Sequence, residues 1–115
     1  MSYDLSLQKD GVSLELETKH LGGTMPVGGY CHTDFNITYN YGSFYYETLD
    51  KEEGLRWLYG KTGEETIKRL EKAIEKLGTE TSDNYWEPTE GNAGSALVPL
   101  LESAKLYTDA IWSGD

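Results

Sequence analysis

Residues 62–78 read TGEETIKRLEKAIEKLG, and this stretch predicts a capped amphipathic helix. Thr62 and Glu65 form a capping box, in which each side chain accepts a hydrogen bond from the other residue's backbone amide. Gly78 suits the position just after the end of a helix. The apolar residues between these signals recur at helical spacing, so they predict one buried face. They are Ile67, Leu70, Ala73, Ile74 and Leu77.

A second helix is predicted to begin near Thr89, because small and apolar residues again recur on one face after it. Pro99 lies within this stretch and lacks a backbone donor, so a kink is expected there. The tail, residues 108–115, carries two large apolar side chains and is expected to dock on the body of the fold. The predicted buried stripe of the second helix is Ala93, Ala96, Leu97, Leu100, Leu101 and Ala104.

The N-terminal part of the chain alternates between apolar and polar residues, as half-buried strands do. Residues 2–8 and 12–18 both alternate, and the Asp10-Gly11 pair between them is a hairpin turn signal. A glycine-rich loop follows, and residues 30–39 then alternate again. The pattern therefore predicts an antiparallel hairpin and a third strand.

Two short helical segments are predicted between the third strand and the capped helix, at residues 43–49 and 52–59. Strands thus precede helices along the chain, and this order is typical of an α+β domain with helices on one face of a sheet. The predicted fold is a single α+β domain over residues 1–115. It consists of an N-terminal antiparallel β-hairpin and a third strand, packed by C-terminal helices.

Charge divides the chain into three parts. It has 20 acidic and 10 basic side chains, which give a net charge of −10. Residues 1–50 and 79–115 are strongly acidic, whereas residues 51–78 hold most of the bases. Direct nucleic-acid binding is disfavoured, because phosphate contact needs a basic footprint. Two interpretations stay open: the acids steer a basic protein partner, or they only keep the protein soluble.

The single cysteine, Cys31, excludes an intrachain disulfide. It falls on the apolar side of the third predicted strand, which favours a buried and unreactive thiol. The N-terminus lacks the apolar core of a signal peptide, and no apolar run is long enough to cross a membrane. These features predict a cytoplasmic protein without a membrane segment.

Aromatic residues crowd into residues 39–46, which read YNYGSFYY. Rings at this density build either the edge of a core or a rigid recognition surface, and both interpretations stay open. Phe44, Tyr45 and Tyr46 are consecutive, so neither a helix nor a strand can turn all three inward. We expect Phe44 in the core and either Tyr45 or Tyr46 facing outward, because a phenol tolerates a wet edge better.

A second candidate surface follows the capped helix, where Asp83, Glu87 and Glu90 flank Trp86. Paired carboxylates can carry out acid–base chemistry, but no pocket is evident around these, so an exposed acidic loop is the better interpretation. No catalytic constellation is recognised, and neither enzyme activity nor a cofactor is predicted. The predicted binding residues are Tyr39, Tyr41, Tyr45, Tyr46, Asp83, Trp86 and Glu87.

Two histidines and an aspartate are the possible ligands of a metal site. His32 and Asp34 share a face of the third predicted strand, and His20 stands at the edge of the glycine-rich loop before it. The three could form a two-histidine, one-carboxylate set only if they converge. A solvated strand face is the favoured interpretation, so no metal is predicted.

Five stretches resemble small, acidic, uncharacterised proteins encoded by bacteriophages and prophages. They are NITYNY (36–41), FYY (44–46), YGKTG (59–63), YWEPTEGNA (85–93) and WSGD (112–115). The resemblance implies a viral or prophage origin and brings no catalytic residues. Small size, acidic charge and the tyrosine-rich segment then predict an accessory protein that binds and inhibits a host protein, such as a component of bacterial defence. The alternatives are a binder that sequesters a nucleotide-like or sugar-like small molecule, and a minor virion or assembly component.

Overall fold

The computed structural model describes residues 2–9, 12–13, 34–84 and 86–114, and the fold is α+β. The helices pack against the sheet around a shared hydrophobic core. In chain order the elements are β1 (Ser2–Lys9), β2 (Val12–Ser13), β3 (Asp34–Thr38), α1 (Gly42–Thr48), α2 (Gly63–Leu77), α3 (Glu90–Leu106) and β4 (Ile111–Gly114). The 3-10 helices Tyr39–Tyr41 and Gly54–Leu58 flank α1. The predicted α+β class is confirmed.

The strand β1 is central to the sheet and pairs antiparallel with β2, β3 and β4. Leu5 and Ser6 pair with both β3 and β4, so these two strands lie on opposite edges of β1. The predicted hairpin is confirmed where Lys9 pairs with Val12. Residues 14–18, the rest of the second predicted strand, lie outside the described residues. The apolar face predicted for β1 is confirmed by its buried side chains, Tyr3, Leu5 and Leu7, although Ser6 between them is buried as well.

The third strand ends one residue earlier than the alternation predicts. Residues 30–39 were expected to be extended, whereas β3 ends at Thr38 and residues 30–33 lie outside the described residues. The hydroxyl of Thr38 accepts a hydrogen bond from the amide of Asn40, 3.2 Å away, and so caps the 3-10 helix that follows. Tyr39 therefore leaves the sheet, because the chain turns into a helix at this cap.

The capping box predicted for α2 is confirmed. The hydroxyl of Thr62 accepts a hydrogen bond from the amide of Glu65 at 3.3 Å, and the amide of Thr62 donates to Oε1 of Glu65 at 2.9 Å. The helix α3 begins after Thr89, as predicted, and the Thr89 hydroxyl accepts from the amide of Asn92 at 3.1 Å. Most residues of the two predicted stripes are buried. They are Leu70, Ala73, Leu77, Ala93, Ala96, Leu97, Leu100 and Ala104.

The two short helical segments differ from each other. The helix α1 begins at Gly42, close to the predicted start at residue 43. Residues 52–59 were predicted to be a second helical piece, and the structure has the shorter 3-10 helix Gly54–Leu58 there. Gly54 has a φ of +60°, which an α-helix of L-residues does not accommodate. The backbone is therefore interrupted at Gly54 before the chain reaches α2.

The tail docks on the fold as predicted, and it does so as the strand β4. Trp112 in β4 is buried, and its indole Nε1 donates a hydrogen bond to the hydroxyl of Thr66 in α2, 3.1 Å away. The same hydroxyl donates to the carbonyl of Gly63 at 2.8 Å. Since Trp112 also pairs with Leu7 of β1, this one residue ties the sheet to α2.

Candidate functional site

The aromatic segment divides between core and surface. Tyr41 and Tyr45 are both 0% exposed, and their rings meet edge to face with centroids 6.4 Å apart. The Tyr45 hydroxyl donates a hydrogen bond to the carbonyl of Ala93 in α3 at 3.0 Å, which satisfies the buried phenol. Tyr41 and Tyr45, two of the predicted binding residues, therefore lie inside the hydrophobic core rather than on the surface.

Tyr46 is the member of the FYY triplet that faces outward, with 41% of its surface exposed. Successive residues of a helix are about 100° apart, so Tyr45 can point into the core while Tyr46 points away. Phe44 is only half-buried, packed against the core cluster. The expectation that one tyrosine faces outward is confirmed for Tyr46. The expectation that Phe44 is the core ring is corrected, because Tyr45 takes that place.

Tyr39 is half-buried beneath Arg56. The Arg56 guanidinium lies 5.5 Å from the ring centroid of Tyr39 and 4.9 Å from that of Tyr3, within the range of cation–π attraction. Its Nη2 also donates to the Tyr39 hydroxyl at 3.1 Å. Burial, and next the nearby Tyr46, raise the pKa of the Tyr3 phenol, although Arg56 acts in the opposite direction. Tyr39 thus packs against Arg56, and only part of its ring is open to a partner.

Bases and rings form a second contact set beside this one, which the sequence did not predict. Lys61 Nζ and Arg69 Cζ lie 4.4 and 4.3 Å from the ring centroid of Trp57. Lys61 Nζ also donates to the carbonyl of Trp57 at 2.7 Å, and Arg69 Nη1 donates to the carbonyl of Leu49 at 2.6 Å. We name Arg56, Trp57, Lys61 and Arg69 the basic cluster. Each of its cations lies over an aromatic ring, and Lys61 and Arg69 also donate to backbone carbonyls.

The acidic loop, residues 79–89, joins α2 to α3 and presents three of the predicted binding residues. Asp83 and Glu87 are exposed, and Trp86 is 53% exposed, an unusual position for the largest apolar side chain. The Asn40 side-chain amide donates to the carbonyl of Trp86 at 2.8 Å. Tyr39 and Asn40 are thus neighbours in the chain of which one contacts Arg56 and the other contacts the acidic loop.

Asn92, in the first turn of α3, organises the acidic loop from beneath. It is a polar residue with only 2% of its surface exposed. Its Oδ1 accepts from the amide of Ser82 at 2.9 Å. Its Nδ2 lies 3.1 Å from the carbonyl of Asn84 and 2.9 Å from that of Glu87, within donating distance of both. The sequence did not single out this residue, because an asparagine near a helix start is ordinary and its partners are known only from the structure.

Two glycines of α3 fix the start of the acidic loop. A Cβ built on Gly91 would overlap the carbonyl of Glu80, and a Cβ built on Gly94 would overlap the carbonyl of Gly78. The backbone of residues 78–80 therefore lies directly on the helix, where any larger side chain would push it away. Together with the hydrogen bonds of Asn92, this close approach ties residues 78–84 and 87 to α3.

The metal hypothesis falls largely outside the part of the chain that the structure describes. His20 and His32 are not among the described residues, and the side chain of Asp34 is not described. Within residues 2–9, 12–13, 34–84 and 86–114, no group of three His, Cys, Asp or Glu side chains is placed to hold a metal ion. No helix among those residues is long and apolar enough to cross a membrane.

Comparisons with protein-family models, with curated proteins and with solved structures found no match for this chain. What the site does must therefore be inferred from its own residues: an exposed tryptophan between two exposed carboxylates, on a loop that the fold holds in place.

Proposed function

We propose that this protein is a non-enzymatic binding protein whose acidic loop docks on a basic surface of another protein. The observation that carries the proposal is Trp86, which is 53% exposed between the exposed carboxylates of Asp83 and Glu87 and has both its amide and its carbonyl hydrogen-bonded. Exposed tryptophans in fixed positions are typical anchors of protein–protein interfaces. The flanking acids then define the charge that the partner must present.

The charge pattern supports a basic partner. Residues 78–104 contain no lysine or arginine, so no base of this stretch neutralises the acids of the loop. Rim charges of one sign speed the encounter with a surface of the opposite sign.

The biological role that we propose is that of a phage accessory protein which inhibits a host protein in the host cytoplasm. The resemblance to small phage and prophage proteins supports the viral origin. The exposed Trp86 and its flanking acids support inhibition by covering a surface of the host protein. The small-molecule alternative is weakened, because Tyr41 and Tyr45, two of the rings expected to stack on a ligand, lie in the core.

The test compares three baits in affinity capture from bacterial lysate, read by quantitative mass spectrometry. The first is the native protein, the second is Asp83→Lys with Glu87→Lys, and the third is Glu52→Lys with Glu53→Lys. The third pair makes the same charge change at exposed acids outside the loop. We expect a basic protein to be retained by the first and third baits and lost from the second.

Purified candidates from that experiment are then titrated at two ionic strengths. Binding through the loop should weaken strongly between about 0.05 M and about 0.5 M salt, because exposed charges are screened over that range. If all three baits retain the same proteins to the same extent, the loop is not the binding surface and the proposal is overturned.

A further inference from the structure

We propose that Asn92 is a positioning residue that holds the acidic loop in its binding conformation without touching the partner. The inference rests on the proposed function, since it concerns the same loop. It goes further in assigning the loop's shape to a single side chain beneath it. Asn92 is 2% exposed, so a docked protein cannot reach it.

The hydrogen bonds of Asn92 span most of the loop. Oδ1 accepts from the Ser82 amide at 2.9 Å, while Nδ2 faces three acceptors. These are the Ser82 hydroxyl at 3.0 Å, the Asn84 carbonyl at 3.1 Å and the Glu87 carbonyl at 2.9 Å. One side chain thus holds backbone groups on both sides of Trp86. The Asn92 side chain links three positions of the loop to α3, and the Ser82 amide would lose this acceptor without it.

The amide group is chemically specific for this position. A carboxylate of the same size could accept from the Ser82 amide, but it would turn an acceptor toward the Asn84 and Glu87 carbonyls. An alanine would remove both functions: the Ser82 amide would lose the acceptor that Asn92 provides, and the Asn84 and Glu87 carbonyls would keep only the hydrogen bonds that they make within the loop. Glutamine would carry the same amide one methylene further than the loop allows. Only asparagine combines the acceptor and the donors at this reach.

Trp86 is held between the groups that Asn92 fixes. Its amide donates to Oδ1 of Asn84 at 3.1 Å, and its carbonyl accepts from Asn40 at 2.8 Å. The backbone of the anchor is therefore fixed before any partner arrives. A binding surface that is already ordered does not lose loop entropy on association, so its affinity is higher than that of a mobile loop.

The test uses Asn92→Ala and Asn92→Asp, with Ser103→Ala as the matched control. Ser103 is a fully buried polar residue of the same helix, and its hydroxyl donates to the carbonyl of Pro99 at 2.8 Å. Ser103→Ala removes one buried hydrogen bond of α3 that involves no residue of the acidic loop. Hydrogen exchange is measured over residues 79–89, with α2 as the internal reference. The second readout is the ¹⁹F resonance of Trp86 in protein labelled with 5-fluorotryptophan, assigned through Trp86→Phe.

Binding is measured with a fluorescein-labelled nona-arginine peptide as the basic probe. We expect both Asn92 variants to speed exchange in the loop and to shift or broaden the Trp86 resonance, while Ser103→Ala does neither. If the binding conformation falls to about a tenth of the population, the dissociation constant of the peptide rises about tenfold. Thermal melts of all variants identify any that fail to fold. If Asn92→Ala does not fold, the same measurements are read from Asn92→Asp.

Two results would overturn the inference, and neither is the same as failure of the proposed function. Unchanged loop exchange and an unchanged Trp86 resonance in folded Asn92 variants would show that Asn92 does not hold the loop. A loosened loop with undiminished peptide affinity would show that its order does not matter for binding. If the native protein itself does not bind the peptide at low salt, the proposed basic partner fails, whereas the exchange and ¹⁹F readouts still decide whether Asn92 sets the loop's shape.

Discussion

The hydroxyl of Tyr45 in α1 donates a hydrogen bond to the carbonyl of Ala93 in α3, 3.0 Å away, deep in the core. This one bond allows a phenol to be completely buried, because its polar atom keeps a partner. It also joins the aromatic segment to the helix that carries Asn92, and so it connects the core to the acidic loop.

Replacing Tyr45 by alanine should destabilise the protein far more than replacing Tyr46. Truncating a fully buried ring of this size lowers the free energy of unfolding by about 3–5 kcal/mol, because its apolar contacts are lost and a cavity is left behind. Tyr46 is 41% exposed, and its loss should cost less than about 1 kcal/mol. Urea unfolding of the two variants gives both values, and equal losses would contradict the split between core and surface.

Tyr45→Phe isolates the hydrogen bond from the ring. The variant keeps the apolar contacts and removes only the donor to Ala93, so we expect a loss of about 0.5–1.5 kcal/mol in the free energy of unfolding. Tyr46→Phe is the matched control and should leave stability almost unchanged. A neutral Tyr45→Phe would mean that the buried hydroxyl makes no net contribution to folding.

Gly94→Ala should disturb the start of the acidic loop. A methyl group at this position would overlap the carbonyl of Gly78, so backbone must move, at a cost of about 1–3 kcal/mol. Ser95→Ala, at the next and half-buried position of the same helix, is the control and should be tolerated. Thermal melts measure stability, and faster hydrogen exchange confined to residues 78–82 should locate the change. Identical behaviour of the two variants would contradict the close contact.

Glu65 should make the stability of the protein depend on acid pH. The backbone amide of Thr62, and secondly its hydroxyl, lower the pKa of the Glu65 carboxyl in the folded protein. Its stabilising contribution is therefore present above the pKa of the unfolded chain and is lost as the pH falls through the folded pKa. The stability gap between the native protein and Glu65→Gln should close in acid. A gap that stays constant from neutral to acid pH would contradict this assignment.

Charge reversal in the acidic loop should act on the rate of association. Stopped-flow mixing with the labelled nona-arginine peptide at low salt should show slower association for Asp83→Lys with Glu87→Lys, with a smaller change in dissociation, because rim charges act mainly on encounter. The pair Glu52→Lys with Glu53→Lys controls for net charge. Equal slowing by both pairs would mean that total charge, rather than the loop, steers the peptide.

Local signals in the sequence were sufficient for some elements and not for others. The capping box at Thr62 and Glu65 was predictable, because both partners lie within one helical turn. The strand β4 was not predicted as a strand, since its pairing partner β1 stands at the other end of the described chain. The burial of Tyr45 depends on a carbonyl in α3, and no pattern within residues 39–46 contains that information. Composition can count rings, but only tertiary contacts decide which of them face inward.

The candidate surface shows the same limit. Asp83, Trp86 and Glu87 were predicted as an exposed acidic loop, and the structure places all three at the surface. Their exposure could be inferred because polar residues and a proline surround them. The support from Asn92 and the approach of residue 78 to Gly94 could not, because both depend on how α2 and α3 cross. The sequence thus predicted the position and exposure of the loop, but not the contacts with α3 that support it.

The pairing of Leu7 with Trp112 has a consequence for how the protein is made. These partners belong to the first and last described strands, so closing the sheet brings together almost the most distant parts of the described chain. Such contacts carry a large loop-closure entropy and form late. During translation the edge of β1 that β4 will cover stays open until the ribosome has released Trp112. A nascent chain is therefore exposed to aggregation along that edge until synthesis has passed this point.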